Sequence, residues 1–153
     1  MTPDSQIAFN SNLKVVVTSR SFAKSTVLRE ELLRLFPNSV FNEDDKKLFG
    51  KELIEFINDA DAAIVGVETI DSSVLEHTPE LKIISKYGVG LDNIDQESLK
   101  NRDIFLGWTG GTNKRSVSEL TLCFMLGLCR NVFGSSFKLK KLEWEKDGGH
   151  QLS

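Results

Sequence analysis

Apolar residues recur along this chain with two alternating periods. Leu13-Lys14-Val15-Val16-Val17-Thr18 is a short β-branched run and predicts a buried strand. Leu28, Leu32, Leu35 and Phe36 then follow helical spacing, so residues near 25–36 form an amphipathic helix that Pro37-Asn38 ends. Val40-Phe41 is a candidate short strand, and Phe49, Leu53, Phe56 and Ile57 set a second helix over about 46–58. Residues 62–67 read as a third strand, and Asp71 caps a short helix bounded by Pro79. Residues 81–85 read as a fourth strand, Asp95 caps a helix through Leu99, and 104–106 read as a fifth strand. Strands alternating with helices over short links predict an α/β fold, a parallel sheet with helices on both faces, complete within 13–108.

The pattern changes after that unit. Residues 113–134 place Val117, Leu120, Leu122, Phe124, Met125 and Leu128 around nearly every face of one helix, which predicts burial on all sides. A five-stranded sheet that already carries its own helices has no room to cover it. A second helix is expected from Gly134 to about Trp144, then a loop over 146–153, and residues 1–12 read as a loose polar leader.

Composition narrows the function classes. The chain has 153 residues, 40% hydrophobic and 27% charged, with a net charge of −3, which is ordinary globular composition. No basic block marks a nucleic-acid partner. No apolar run of about 18 residues marks a membrane span, and no signal segment opens the chain. The two cysteines, Cys123 and Cys129, lie in one apolar helix and read as packing residues, which suits a reducing, cytoplasmic setting. His77 and His150 stand apart in a turn and the tail, and no metal cluster is expected.

Two stretches carry candidate chemistry. Tyr87-Gly88-Val89-Gly90-Leu91-Asp92-Asn93-Ile94-Asp95 leads from a strand into a helix, where open α/β sheets bind ligands. Two glycines flanking Val89 permit a tight turn whose N–H groups can cradle a carboxylate or phosphate, although spacing alone fits a plain strand-to-helix turn. Gly88-x-Gly90 begins like the dinucleotide fingerprint, but the third position is Asn93, so no pyrophosphate is placed here. In the second stretch, Ser116-x-x-Glu119 is a capping box that accounts for both residues, and Asn113 can cap the same helix or reach into a cleft, with spacing favouring the cap. The residues after the first strand, Thr18 to Thr26, lack both the acidic pair of a phospho-receiver and a glycine-bearing phosphate loop. No P-loop or G-x-S-x-G occurs.

The run Leu81 to Asp95 resembles the hallmark of the D-isomer-specific 2-hydroxyacid dehydrogenases, especially the phosphoglycerate dehydrogenase branch. Asn113-Lys114-Arg115-Ser116-Val117-Ser118-Glu119-Leu120 is similar to that family's second hallmark, and Leu142-x-Trp144 to the approach to its cofactor domain. The resemblance implies a flavodoxin-like substrate domain over 13–108, with 109–153 as crossover helices toward a Rossmann domain that binds NAD or NADP. It implies that Val89 and Gly90 contact the substrate carboxylate through their N–H groups, with Val89 also near the nicotinamide. Asn113 matches a substrate-contacting position and Ser116 a hydroxyl near the cofactor. The family's arginine, its histidine–acid pair and its G-x-G-x-x-G are expected beyond Ser153, so no catalytic residue is assigned within the chain. Gly110 replaces a common proline and Lys114 a small or hydroxyl residue.

The chain is therefore expected to be the substrate-domain fragment of an NAD-dependent enzyme that transfers hydride between a small 2-hydroxy acid and a nicotinamide cofactor. By itself it is expected to be inactive and to bind no cofactor. The alternative is a stand-alone module that binds a small carboxylate or drives oligomerisation. In either case the apolar helix near 117–128 is expected to pair with another copy, giving a homo-oligomer.

Overall fold

The computed structural model describes residues 11–145 and 148–152; the leader expected over 1–12 lies outside this range except for Ser11 and Asn12, as do Lys146, Asp147 and Ser153 of the tail. The chain divides into two compact units, one up to Gly110 and one from Gly111 onward.

The first unit is a five-stranded sheet of β1 (Val15–Val17), β2 (Val40–Phe41), β3 (Ala62–Val65), β4 (Ile83–Lys86) and β5 (Phe105–Gly107). The order is β2-β1-β3-β4-β5 with every pair parallel. This is the order of the flavodoxin-like folds, whose strand sequence reverses between β1 and β3. The connections are α1 (Arg20–Ala23), α2 (Thr26–Leu35), α3 (Gly50–Ile57), α4 (Ser72–Glu76) and α5 (Gln96–Asn101).

Both faces of the sheet carry helices, as the alternation predicts. Leu53, Ile57, Val74, Leu75 and Leu99 from α3, α4 and α5 pack on one face against Val16, Ala63, Val65 and Ile84. Ala23 and Leu32 from α1 and α2 pack on the other against Val15, Val17 and Phe41. That second cover stops short of β4 and β5: Ile83 is 41% exposed and its register partner Phe105 is 70% exposed. Successive strand residues point to opposite faces, so Ile84, one residue on, is fully buried.

Short helices in this unit rely on their caps. The Asp71 carboxylate accepts the Val74 N–H at 3.0 Å and the Ser73 hydroxyl at 2.8 Å. Asp95 accepts the Ser98 N–H at 3.0 Å and its hydroxyl at 2.6 Å. Ser19 caps α1, a one-turn helix that apolar spacing alone does not register. The Ser73 hydroxyl, and then the Val74 N–H, hold the Asp71 carboxyl below the usual carboxylate range. A group with a depressed folded pKa stabilises the fold above its unfolded pKa and loses that contribution as pH falls through the folded one. Asp71→Ala is therefore expected to cost about 1 kcal/mol at neutral pH, with solvent screening holding the charge contribution low, and less in acid once the carboxyl is protonated. Urea unfolding at neutral and acid pH checks this.

The second unit contains α6 (Lys114–Cys129) and α7 (Val132–Lys140). Its helix boundaries differ from the sequence expectation. α6 begins at Lys114, whose N–H bonds the Gly111 carbonyl at 3.1 Å, so a preceding turn starts the helix. Ser116 is thus inside the helix and not its cap. Glu119 pairs with Arg115 Nε at 3.0 Å one turn away, so the capping box does not form. Asn113 stands at the cap position but makes no side-chain cap bond. α6 and α7 part at Asn131, which adopts a left-handed φ of 50°, and α7 starts before Gly134 and ends four residues short of Trp144. The full burial expected of α6 is not found: only Gly127 is buried along it, while Val117, Leu120, Phe124 and Leu128 are exposed. Cys123 is likewise exposed and Cys129 half-buried, so Cys123 has no packing role among the described residues. In the tail, the His150 N–H donates to the Cys129 carbonyl at 2.7 Å. No single helix among the described residues is long and apolar enough to cross a membrane.

Candidate functional site

Two loops leave the carboxyl ends of β3 and β4 and run side by side. Tyr87 N–H donates to the Val65 carbonyl at 2.8 Å. Farther along, Ile70 N–H donates to the Asn93 carbonyl at 2.8 Å, and Asp95 N–H to the Ile70 carbonyl at 2.9 Å. Between these ties the second loop makes the turn through Gly88, Val89 and Gly90. Gly88 has φ of 145°, a conformation that side-chain-bearing residues seldom adopt.

A polar network beneath the turn joins the loops. Asn93 Nδ2 donates to the Gly66 carbonyl at 3.2 Å and also to the Glu68 carbonyl. Lys86 Nζ donates to Asn93 Oδ1 at 2.6 Å and to the Gly66 carbonyl. Glu68 is buried, and its Oε2 accepts the Gly66 N–H at 2.7 Å and the Thr18 hydroxyl at 3.0 Å. Its Oε1 is buried without a hydrogen-bond partner among the described residues. Burial pushes the Lys86 ammonium below the usual lysine range, against the nearby Asp92 and Glu68 carboxylates, which raise it.

Asn93, which breaks the dinucleotide fingerprint, is thus committed to loop carbonyls. It leaves no third glycine for close approach of a pyrophosphate. Sequence reading passed over Glu68, Lys86 and Trp108. The available signal was the position of two charged residues at or just past the ends of apolar strands.

Two cavities open along these loops. One, of about 290 Å³, is bounded by Gly66, Lys86, Gly88, Val89, Gly90 and Asn93. The other, of about 390 Å³, lies at the β1/β3 reversal and is bounded by Ser19, Ser21, Lys24, Glu68 and Tyr87. Gly66, Val67 and Tyr87 line both. Phe22 meets the Tyr87 ring edge-on at 5.3 Å between centroids and fixes that shared wall. Among the described residues, the N–H groups of Val89 and Gly90 donate to no other backbone group, so both remain available to a ligand. Val89 and Gly90 therefore sit together at one cavity, whereas Asn113 and Ser116 belong to the second unit, where both are exposed.

The D-isomer-specific 2-hydroxyacid dehydrogenase catalytic-domain model matches residues 14–144. The chain belongs to this family. It is 33% identical over 120 residues to the D-3-phosphoglycerate dehydrogenase of Methanocaldococcus jannaschii, covering 78% of this chain and 23% of that relative. It is 33% identical over 103 residues to the glyoxylate reductase of Thermococcus litoralis, covering 65% and 31%. The NAD-bound 3-phosphoglycerate dehydrogenase of Entamoeba histolytica superposes with a TM-score of 0.69 at 27% identity, over 93% of this chain and 44% of that one. The chain thus spans less than a third of the curated relatives and under half of that solved structure. The family acts on small 2-hydroxy acids, and solved relatives carry NAD.

Proposed function

We propose that this chain supplies the substrate-binding half-site of an NAD(P)-dependent D-2-hydroxyacid dehydrogenase. Residues 13–108 form the substrate domain, and 109–153 lead toward a cofactor domain in the whole cytoplasmic enzyme. The observation that carries this reading is the pair of free N–H groups at Val89 and Gly90, displayed at the carboxyl end of a parallel strand. They hold the substrate carboxylate, and the adjoining cavity between Ser19 and Tyr87 receives the rest of the acid. Asn113 contributes to the substrate cleft. Val89 and Ser116 would lie on the nicotinamide side, where a bound cofactor would supply hydride chemistry at C2 while a base of the whole enzyme would take the hydroxyl proton. The 153 residues lack the phosphate-binding fingerprint, so the cofactor is held mainly by other parts of the whole enzyme.

The charge around the turn predicts that the half-site is weak alone. Its nearby cation, Lys86, is already engaged, and Asp92 Oδ1 would lie 2.7 Å from a Cβ placed on Gly90. A bound carboxylate needs a further positive group.

The test is an amide-resolved NMR titration of the chain with glyoxylate, alongside a turnover assay with NAD and 3-phosphoglycerate. Millimolar binding that shifts Val89 and Gly90, with no turnover, is the expected result. Unmoved Val89 and Gly90 amides at saturating glyoxylate overturn the site, and turnover by the 153-residue chain overturns the half-site reading.

The exposed face of α6 favours a second property, self-association through 117–128. Sedimentation of the chain is expected to give a concentration-dependent dimer, and Leu120→Lys with Leu128→Lys is expected to give a monomer.

A further inference from the structure

We infer that Trp108 is a positioning residue that aims the Gly90 N–H. This rests on the proposed use of that group to hold a carboxylate. Trp108 follows β5 and reaches across to the β4 loop, where its indole Nε1–H donates to the Val89 carbonyl at 3.0 Å. That carbonyl and the Gly90 N–H belong to one peptide unit. The unit is planar and trans, so its C=O and N–H point in opposite directions. Holding the oxygen on the Trp108 side therefore fixes the N–H toward the other side. A donor on the carbonyl also polarises the peptide and strengthens what its N–H can donate.

The turn needs such an anchor. Gly88 places few limits on the backbone before it, and the N–H groups of Val89 and Gly90 are not tied to other backbone groups among the described residues. The indole takes this position because Gly110 leaves room. A Cβ on Gly110 would lie 2.9 Å from indole Cη2, closer than real contacts allow, and 3.1 Å from Cζ2, so the ring would have to shift. Trp108 and Gly110 thus work as a pair: the glycine makes space for the ring, and the ring sets the peptide.

Two substitutions separate this role from packing. Trp108→Phe keeps a ring but removes the N–H. Gly110→Ala keeps the indole but pushes it aside. The ring is 46% exposed, so neither change removes a core residue. The chain has two tryptophans, and Trp144 at 84% exposure is an internal reference. The Trp108 indole N–H is expected to exchange with solvent more slowly than that of Trp144. Both variants are expected to move the Gly90 amide resonance in the unliganded chain while leaving the strand amides in place. Both are also expected to weaken glyoxylate binding about three- to tenfold, the loss from one hydrogen bond.

A Gly90 amide unmoved in both variants overturns the inference, as does an indole N–H at Trp108 that exchanges as fast as at Trp144. If Gly90 moves in both variants but the wild-type chain does not bind glyoxylate, the peptide is set by Trp108 and the proposed function is what fails.

Discussion

Asn93→Ala is expected to lower the unfolding free energy by about 3 kcal/mol and to abolish measurable glyoxylate binding. The amide of Asn93 gives two hydrogen bonds to carbonyls of the β3 loop and accepts one from Lys86. Alanine removes all three at once. It leaves the Glu68 carbonyl without this donor and the half-buried Lys86 ammonium with one partner fewer. Unpaired groups of this kind cost more than the bonds themselves contribute. The loops remain joined at Ile70, so the sheet is expected to survive while the turn through Gly88 and Gly90 loosens. Urea unfolding reads the first effect and NMR titration the second. An unchanged midpoint would show that the network contributes nothing to the fold.

Ile84→Ala is expected to cost about 3–4 kcal/mol, and Ile83→Ala less than about 1 kcal/mol. The residues are adjacent and chemically identical, but Ile84 is fully buried under α3, α4 and α5, while Ile83 faces the uncovered side of β4. For a chain of this length, 1 kcal/mol shifts the melting temperature by roughly 3 °C, so the two variants should differ by close to 10 °C. Equal losses would mean that the face beyond α1 and α2 is covered in solution.

Most of the sheet unit was legible because each element carried its own local signal. Val15–Val17 and Ala62–Val65 are β-branched or small runs, Leu28 and Leu32 keep helical spacing, and Asp71 and Asp95 cap where an aspartate before a helix should. The family resemblance supplied the rest of the architecture. Most of what was not legible depends on distant pairings. Ser116 and Glu119 have capping spacing, but the turn at Gly111 starts the helix earlier and makes that spacing irrelevant. The break at Asn131 sits between two apolar stretches, where Arg130-Asn131 is a local helix-end signal that apolar spacing does not register. In the site, the Gly88–Gly90 turn was visible from its glycines. Its supports were not, because Glu68 is 25 residues from Asn93 and Trp108 is 19 from Val89, and no sequence period links them.

The strand order also constrains how the molecule assembles. β3, β4 and β5 are neighbours both in sequence and in space, so each pairing closes only a short loop. β1 lies between β2 and β3, and its pairing with β3 registers Val16 opposite Ala63, across more than forty residues. Loop-closure entropy favours the nearby pairings, and long-range parallel pairing is slow. As the chain leaves the ribosome, β1 and β2 emerge first yet lack the central partner that completes their side of the sheet. β2 lies only 24 residues from β1 in register, Val16 opposite Val40, so the two halves of the sheet can pair separately; joining β1 to β3 is the slow step, and until it closes that edge of β1 remains open to wrong pairings.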